Sequence, residues 1–215
     1  MKRLLIALVL CLLPLCAGAE SLTTHIVGRT SEGEHIHQLI ADNGQALYFT
    51  ALEPAPFVQK EDVNFDGAPD IVVCVSQGAS NGFFEFFVYD NGAYVQAMHE
   101  GLGYGLANYQ LYPEKGLVLS QASNGHAGAL HEWFLFRWRG TDLQLVSSAV
   151  STELTESAFT DTAWTQTVYN DRYHITVMRY GEHAWEWEVV WQQVATVDDM
   201  LAGDIFDQER AALFP

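Results

Sequence analysis

The chain has 215 residues, with 10 basic against 27 acidic side chains and a formal charge of −17. That balance repels nucleic acid and anionic membrane surfaces, which both need a basic footprint, and it suits cations and cationic proteins. The length fits one domain, or at most two small ones.

The first residues read as an export signal. Lys2 and Arg3 give a positive start, and Leu4 to Leu15 form an apolar stretch interrupted only by Pro14. Ala17-Gly18-Ala19 supplies the small-x-small pattern of a cleavage site, so residues 1–19 are expected to leave as a signal peptide. The run is short of the roughly 20 residues of a membrane span, so no transmembrane segment is expected in the mature protein. A lipid-attached alternative would begin the mature chain at Cys16, but the bulky Leu15 disfavours it. Without Lys2 and Arg3, residues 20–215 carry 8 basic and 27 acidic side chains, a formal charge of −19. The expected location is the periplasm of a Gram-negative bacterium or the exterior. Cys11 and Cys16 leave with the signal, so Cys74 stands alone and no intrachain disulfide can form. Its apolar neighbours, Ile71-Val72-Val73 and Val75, mark a buried thiol.

Beyond the signal, helical periodicity is nearly absent. Runs of β-branched and aromatic residues alternate with Gly, Asn, Asp and Ser, the pattern of many short strands. Strands are expected at Gln45 to Ala51, Ile71 to Val75, Phe83 to Tyr89, Trp133 to Trp138, Tyr173 to Arg179 and Trp185 to Val190. Asp42-Asn43-Gly44 and Asp90-Asn91-Gly92 carry the Asn-Gly signal of tight hairpins. Arg139-Gly140-Thr141-Asp142 and Tyr180-Gly181-Glu182 mark two more turns. Their glycines are spaced by 48, 48 and 41 residues, the span of a four-stranded propeller blade of roughly 40–50 residues. An all-β fold is therefore expected, built as a propeller-like repeat of four-stranded antiparallel units, with a β-sandwich or irregular barrel as the alternative. One helix is expected at the end, from about Asp198 to Leu213, and a helical turn is open near Thr155 to Phe159. Residues 20–215 read as a single domain.

The segment that carries chemistry is Asp62-Val63-Asn64-Phe65-Asp66-Gly67-Ala68-Pro69-Asp70. Oxygen-bearing side chains stand at loop positions 1, 3, 5 and 9, with glycine at 6. Calcium takes six to eight hard oxygen ligands, and alternating acids in a tight loop can turn several inward. The expected ligands are Asp62, Asn64, Asp66, the Ala68 carbonyl and Asp70, the last directly or through water. Magnesium suits the loop less, because it demands stricter octahedral geometry. An EF-hand does not fit: its twelfth position is Val73, and a buried strand follows where a helix should. The competing reading is an acidic turn held by Asx hydrogen bonds without an ion.

The stretch Asp62 to Val73 resembles the calcium loop of FG-GAP and VCBS β-propeller repeats. With Gly78-Ala79-Ser80-Asn81, Phe86-Phe87-Val88-Tyr89-Asp90 and Gly92-Ala93-Tyr94-Val95, it is similar to a family of small bacterial periplasmic proteins. That family includes calcium-binding immunity proteins that inhibit lysozyme-like effectors of the Xanthomonas type IV secretion system. Leu117-Val118-Leu119-Ser120, Gly125-His126-Ala127-Gly128 and Phe136-Arg137-Trp138-Arg139-Gly140 resemble that family's next unit. The likeness spans about residues 57–147. It implies a propeller-like β fold and, as one role among several, inhibition of a glycan hydrolase.

Other residues have both a chemical and a plainer reading. His35 and His37 would share a strand face and could hold zinc or copper, but no third ligand stands near, so a solvated edge face is expected. Ser123-Asn124-Gly125-His126 with His131 and Glu132 holds nucleophile, base and acid types without a nucleophile elbow, so an exposed loop is expected. Trp185-Glu186-Trp187-Glu188, continued by Trp191, reads as a core face alternating with solvent, or else as a sugar-stacking platform or partner surface. Acids such as Asp161 or Glu186 could form a glycosidase dyad only at a separation that sequence does not give. The function expected is an exported calcium-binding protein without catalysis, inhibiting a cationic lysozyme-like hydrolase. A carbohydrate- or envelope-binding module is the alternative, and a calcium-dependent hydrolase comes third.

Overall fold

The computed structural model describes residues 22–99, 105–125, 128–159, 164–183 and 185–215. The expected signal peptide, Cys16, His126 and Asp161 lie outside the described residues.

The first sheet is antiparallel, with β1 (Thr24–Arg29), β2 (His35–Ile40) and β3 (Ala46–Ala51) in that order. The second holds β4 (Val58–Glu61), β5 (Asp70–Gln77), β6 (Gly82–Asp90) and β7 (Ala93–Gln96), and the short β8 (Leu106–Ala107) pairs with the start of β6. The third is a meander of β9 (Gln110–Tyr112), β10 (Leu117–Gly125), β11 (Leu130–Arg139), β12 (Asp142–Phe159), β13 (Trp164–Tyr180) and β14 (Trp187–Thr196). Two helices follow, α1 (Val197–Leu201) and α2 (Asp204–Leu213).

The all-β expectation and the four expected hairpin turns agree with this architecture. The regular four-stranded repeat does not. The sheets have three, five and six strands, and among the described residues they close into neither a ring nor a barrel. The evenly spaced turns belong to hairpins in different sheets: β2–β3, β6–β7, and then β11–β12 and β13–β14 together. The common spacing therefore marks hairpins of different lengths in different sheets, not repeated units. Thr155 to Phe159 is strand, not a helical turn, because β12 resumes its pairing with β13 after a register shift at Glu153/Leu154 and continues to Phe159↔Trp164. The expected single C-terminal helix is broken in two at Gly203, whose φ of +95° an L side chain adopts only with strain. Thr196 caps α1, exchanging hydrogen bonds with Asp199 in a capping box.

The sheets stack because the middle one is apolar on both faces. Ile71, Val73, Val75 and Phe87 pack with Leu39, Leu47 and Phe49 of the first sheet. Their alternating neighbours Val72, Phe86 and Val88 pack with Val118, Phe136, Leu143 and Leu145 of the third. Strands covered on both faces read as continuous apolar runs, and Asp70 to Val75 is buried throughout. Polar ties reinforce the stack. The Gln45 side chain donates to the Tyr94 carbonyl at 2.8 Å and accepts from the Tyr94 amide at 2.7 Å, filling the place of a strand partner. Lys60 pairs with Asp42 beside it.

The far face of the third sheet is covered by the helices. Leu213 packs with Leu117, Leu119, Leu135, Ala149 and Val177, while Met200 and Ile205 pack with Tyr173, Ile175 and Ala195. Within that layer His131 Nε2 meets Glu209 Oε1 at 2.6 Å, both side chains being buried, and His131 Nδ1 donates to the Gly128 carbonyl at 3.0 Å. This contact fixes the rotation of α2 against β11. Glu209→Ala is therefore expected to cost about 3 kcal/mol in denaturant unfolding, because it leaves a buried imidazole without its partner. A loss below about 1 kcal/mol, the scale of an ordinary surface change, would show that the pair is not what holds the helix.

Candidate metal-binding loop

Residues 62–69 close the hairpin between β4 and β5, whose last pair is Glu61↔Asp70. The chain turns through Phe65 at φ +66° and Gly67 at φ +88°. Gly67 takes this conformation without cost, whereas Phe65 takes it against its side chain, in a region that few non-glycine residues occupy.

Side-chain oxygens gather the loop's amides. Asp62 Oδ1 accepts from the Asp66 amide at 3.1 Å and Oδ2 from the Gly67 amide at 3.0 Å. Asn64 Oδ1 accepts from the same Asp66 amide at 3.1 Å, and Asn64 Nδ2 donates to Asp66 Oδ2 at 3.0 Å. Asp66 Oδ1 accepts from the Ala68 amide at 2.7 Å. Asp62, Asn64 and Asp66 are thus brought together by the Asx contacts of the competing reading.

Asp70 stands apart. It is fully buried, and both oxygens are engaged by backbone: Oδ2 accepts from Val63 at 3.0 Å and from Asn64 at 3.4 Å, and Oδ1 from Tyr89 of β6 at 2.8 Å. Burial pushes its carboxyl above the ordinary aspartate value of 3.8, against the downward pull of those amides, and the nearby Asp66 charge adds to the rise. Asp70 is the anchor of the loop. Val63 completes the attachment: its side chain is buried between the second and third sheets, and its carbonyl accepts from Trp138 Nε1 at 2.7 Å. The sequence signal for this anchor was the lone valine among acids. The Trp138 contact, 75 residues away, had none.

The donor set fits a hard cation of adaptable coordination. An ionised carboxylate offers about four lone-pair sites, so an amide contact on each oxygen leaves others free. As the side chains stand, no three His, Cys, Asp or Glu among the described residues form a ready metal cluster. The oxygens of Asp62, Asn64, Asp66 and the Ala68 carbonyl are those that could hold such a cation, whereas Asp70 is buried with both oxygens already bonded to backbone amides.

The remaining sequence candidates fall elsewhere. His35 and His37 share a face with ring centres 6.0 Å apart, but β2 is the middle strand of its sheet and His37 is fully buried, not solvated. His37 stacks on Phe49 at 5.3 Å, lies 3.2 Å from the Glu53 carbonyl through Nε2, and is pushed by burial below its usual pKa. Ser123 lies within β10, not an exposed loop, and opposite it His131 has both ring nitrogens engaged by Glu209 and Gly128. Glu132 pairs across from Ala122. Trp185 and Trp187 are not core: they are 75% and 57% exposed. Only Trp191 packs inward.

Asp70→Ala is expected to cost about 3 kcal/mol at neutral pH, because three amides lose one buried acceptor. Since the folded value is raised, stability from protonated Asp70 is fully present below the unfolded value near 3.8 and is lost as pH rises through the folded value. In metal-free protein the Asp70 carboxyl carbon should titrate above 3.8 by NMR. Titration at or below that value would contradict the burial described.

No family model matches the chain, and no curated protein matches it. Among solved structures the chain is similar to a Xanthomonas type IV secretion system related protein, with 12% identity and a TM-score of 0.42 over 80% of this chain and 86% of that one.

Proposed function

We propose that this protein is an exported, calcium-stabilised binding protein without catalysis, acting in the periplasm or outside the cell. Its partner is a cationic lysozyme-like peptidoglycan hydrolase that it inhibits. The observation that carries the calcium reading is the hairpin loop of residues 62–69, in which Asp62, Asn64 and Asp66 converge on one set of amides above a buried anchor. Carboxylates held this close repel one another, and a divalent cation removes that repulsion while tightening the turn. The ligands are Asp62, Asn64, Asp66, the Ala68 carbonyl and Asp70. The ion acts as a clip in a chain whose mature part has only Cys74 and so no disulfide.

Partner choice rests on charge and on the resemblance of residues 57–147 to calcium-loop immunity proteins. A mature charge of −19 speeds encounter with a basic enzyme, and salt weakens that steering.

Calcium titrated calorimetrically into chelated protein should show about one site, absent in Asp66→Ala. At calcium a hundredfold above Kd the fold should gain about 2.7 kcal/mol. Purified mature protein should slow a lysozyme assay, less so in chelator or high salt. An unchanged melting temperature on adding calcium would remove the metal reading. Failure to inhibit any lysozyme class, with no envelope hydrolase captured, would remove the partner reading.

A further inference from the structure

The turn between β13 and β14 projects its aromatics into solvent instead of burying them. Trp185 is 75% exposed and Trp187, at the start of β14, is 57% exposed. The turn is nonetheless well tied. The Gly181 amide donates to the Glu186 carbonyl at 2.6 Å, and the Glu186 amide donates to the His183 carbonyl at 2.9 Å. The His183 ring stacks on Trp185 at 4.3 Å with planes 17° apart, so one indole face is occupied and the ring is held. A rigid, exposed indole gives large contact area at low entropic cost.

Two clefts flank this turn. One, of about 370 Å³, is lined by Arg179, Tyr180, Gly181, Glu186, Trp187 and Glu188. The other, of about 490 Å³, is lined in part by Arg139, Asp142, Gln144, Glu182 and His183. Both are open to solvent rather than enclosed. Their chemistry is mixed on both sides. Glu186 and Glu188 line the same cleft as Arg179, whose Nη2 donates to the Ala212 carbonyl at 3.4 Å, and Glu182 and Asp142 share the other with Arg139, 3.9 Å from Glu182, and Gln144. An anion would meet these carboxylates and the charge of the whole chain. A cation would meet the guanidiniums. A neutral polyhydroxyl ligand uses both sets, because each hydroxyl donates one hydrogen bond and accepts others. The apolar C–H face of a pyranose ring matches the free indole surfaces.

We infer that the β13–β14 turn is a binding site for a neutral pyranose oligosaccharide, stacked on Trp185 and Trp187 and hydrogen-bonded in the flanking clefts. The site shares no lining residue with the 62–70 loop, and the inference does not depend on hydrolase inhibition. The competing occupant is a second copy of this chain, because β14 is the edge of its sheet and an exposed apolar edge invites strand pairing.

The test titrates the mature protein with cellotetraose and, separately, with the tetramer of N-acetylglucosamine, followed by calorimetry and indole fluorescence. Saturable binding of at least one tetramer is expected, weakened tenfold or more in Trp187→Ala and in Trp185→Ala. Val194→Thr, farther along the same edge and also exposed, should bind as the parent does. Both tryptophans lie outside the core, so these variants should keep the parent's melting temperature and its calcium response. The inference is overturned if neither tetramer binds saturably, or if the tryptophan variants bind like the parent. It is equally overturned if sedimentation shows a dimer that Trp187→Ala dissolves.

Discussion

The buried carboxylate of Asp70 joins three parts of the chain that would otherwise separate. It holds the amides of Val63 and Asn64 in the loop and that of Tyr89 in β6. Burying an ionised group costs several kcal/mol, and that cost is offset only when every oxygen is hydrogen-bonded. The loop must therefore fold back over the first residue of β5. In doing so it carries Val63 into the core between the second and third sheets, where the Trp138 indole holds its carbonyl. A surface loop of charged residues is thus tied to the layer packing.

That packing explains why the middle sheet is so apolar. β5 and β6 serve two interfaces at once, odd residues toward the first sheet and even ones toward the third in β5. Each large side chain buried there contributes on the order of 1.5–3 kcal/mol. The far face of the third sheet is closed by α1 and α2, pinned by the His131–Glu209 contact. The result is a stack of three sheets and a helical layer, nearer in kind to the sandwich alternative than to a ring of blades.

The loop of residues 62–69 and the β13–β14 turn occupy hairpin ends of different sheets, and they differ in what holds them. The loop is braced by a buried acid and an indole hydrogen bond. The turn is braced by its own backbone and by a stacked imidazole, so its indoles remain free for a ligand.

Sequence by itself determined the strand character, the hairpin turns, the terminal helical segment and the set of oxygen donors from Asp62 to Asp70. These follow from local chemistry: β-branched runs, Asn-Gly turns and acids at alternate loop positions. Tertiary structure decided the rest. Which sheet each hairpin joined depends on contacts far apart in sequence, so an even turn spacing could not reveal sheets of three, five and six strands. Whether His37 was solvated, and whether Trp185 and Trp187 were core, depended on what lay against each face. Alternation along a strand shows that two faces differ, but only the neighbouring layer determines which face is covered. Asp70 is the same case within the loop: its oxygen was legible in the sequence, while its burial beneath Val63, Asn64 and Tyr89 arose only when β6 was laid beside it.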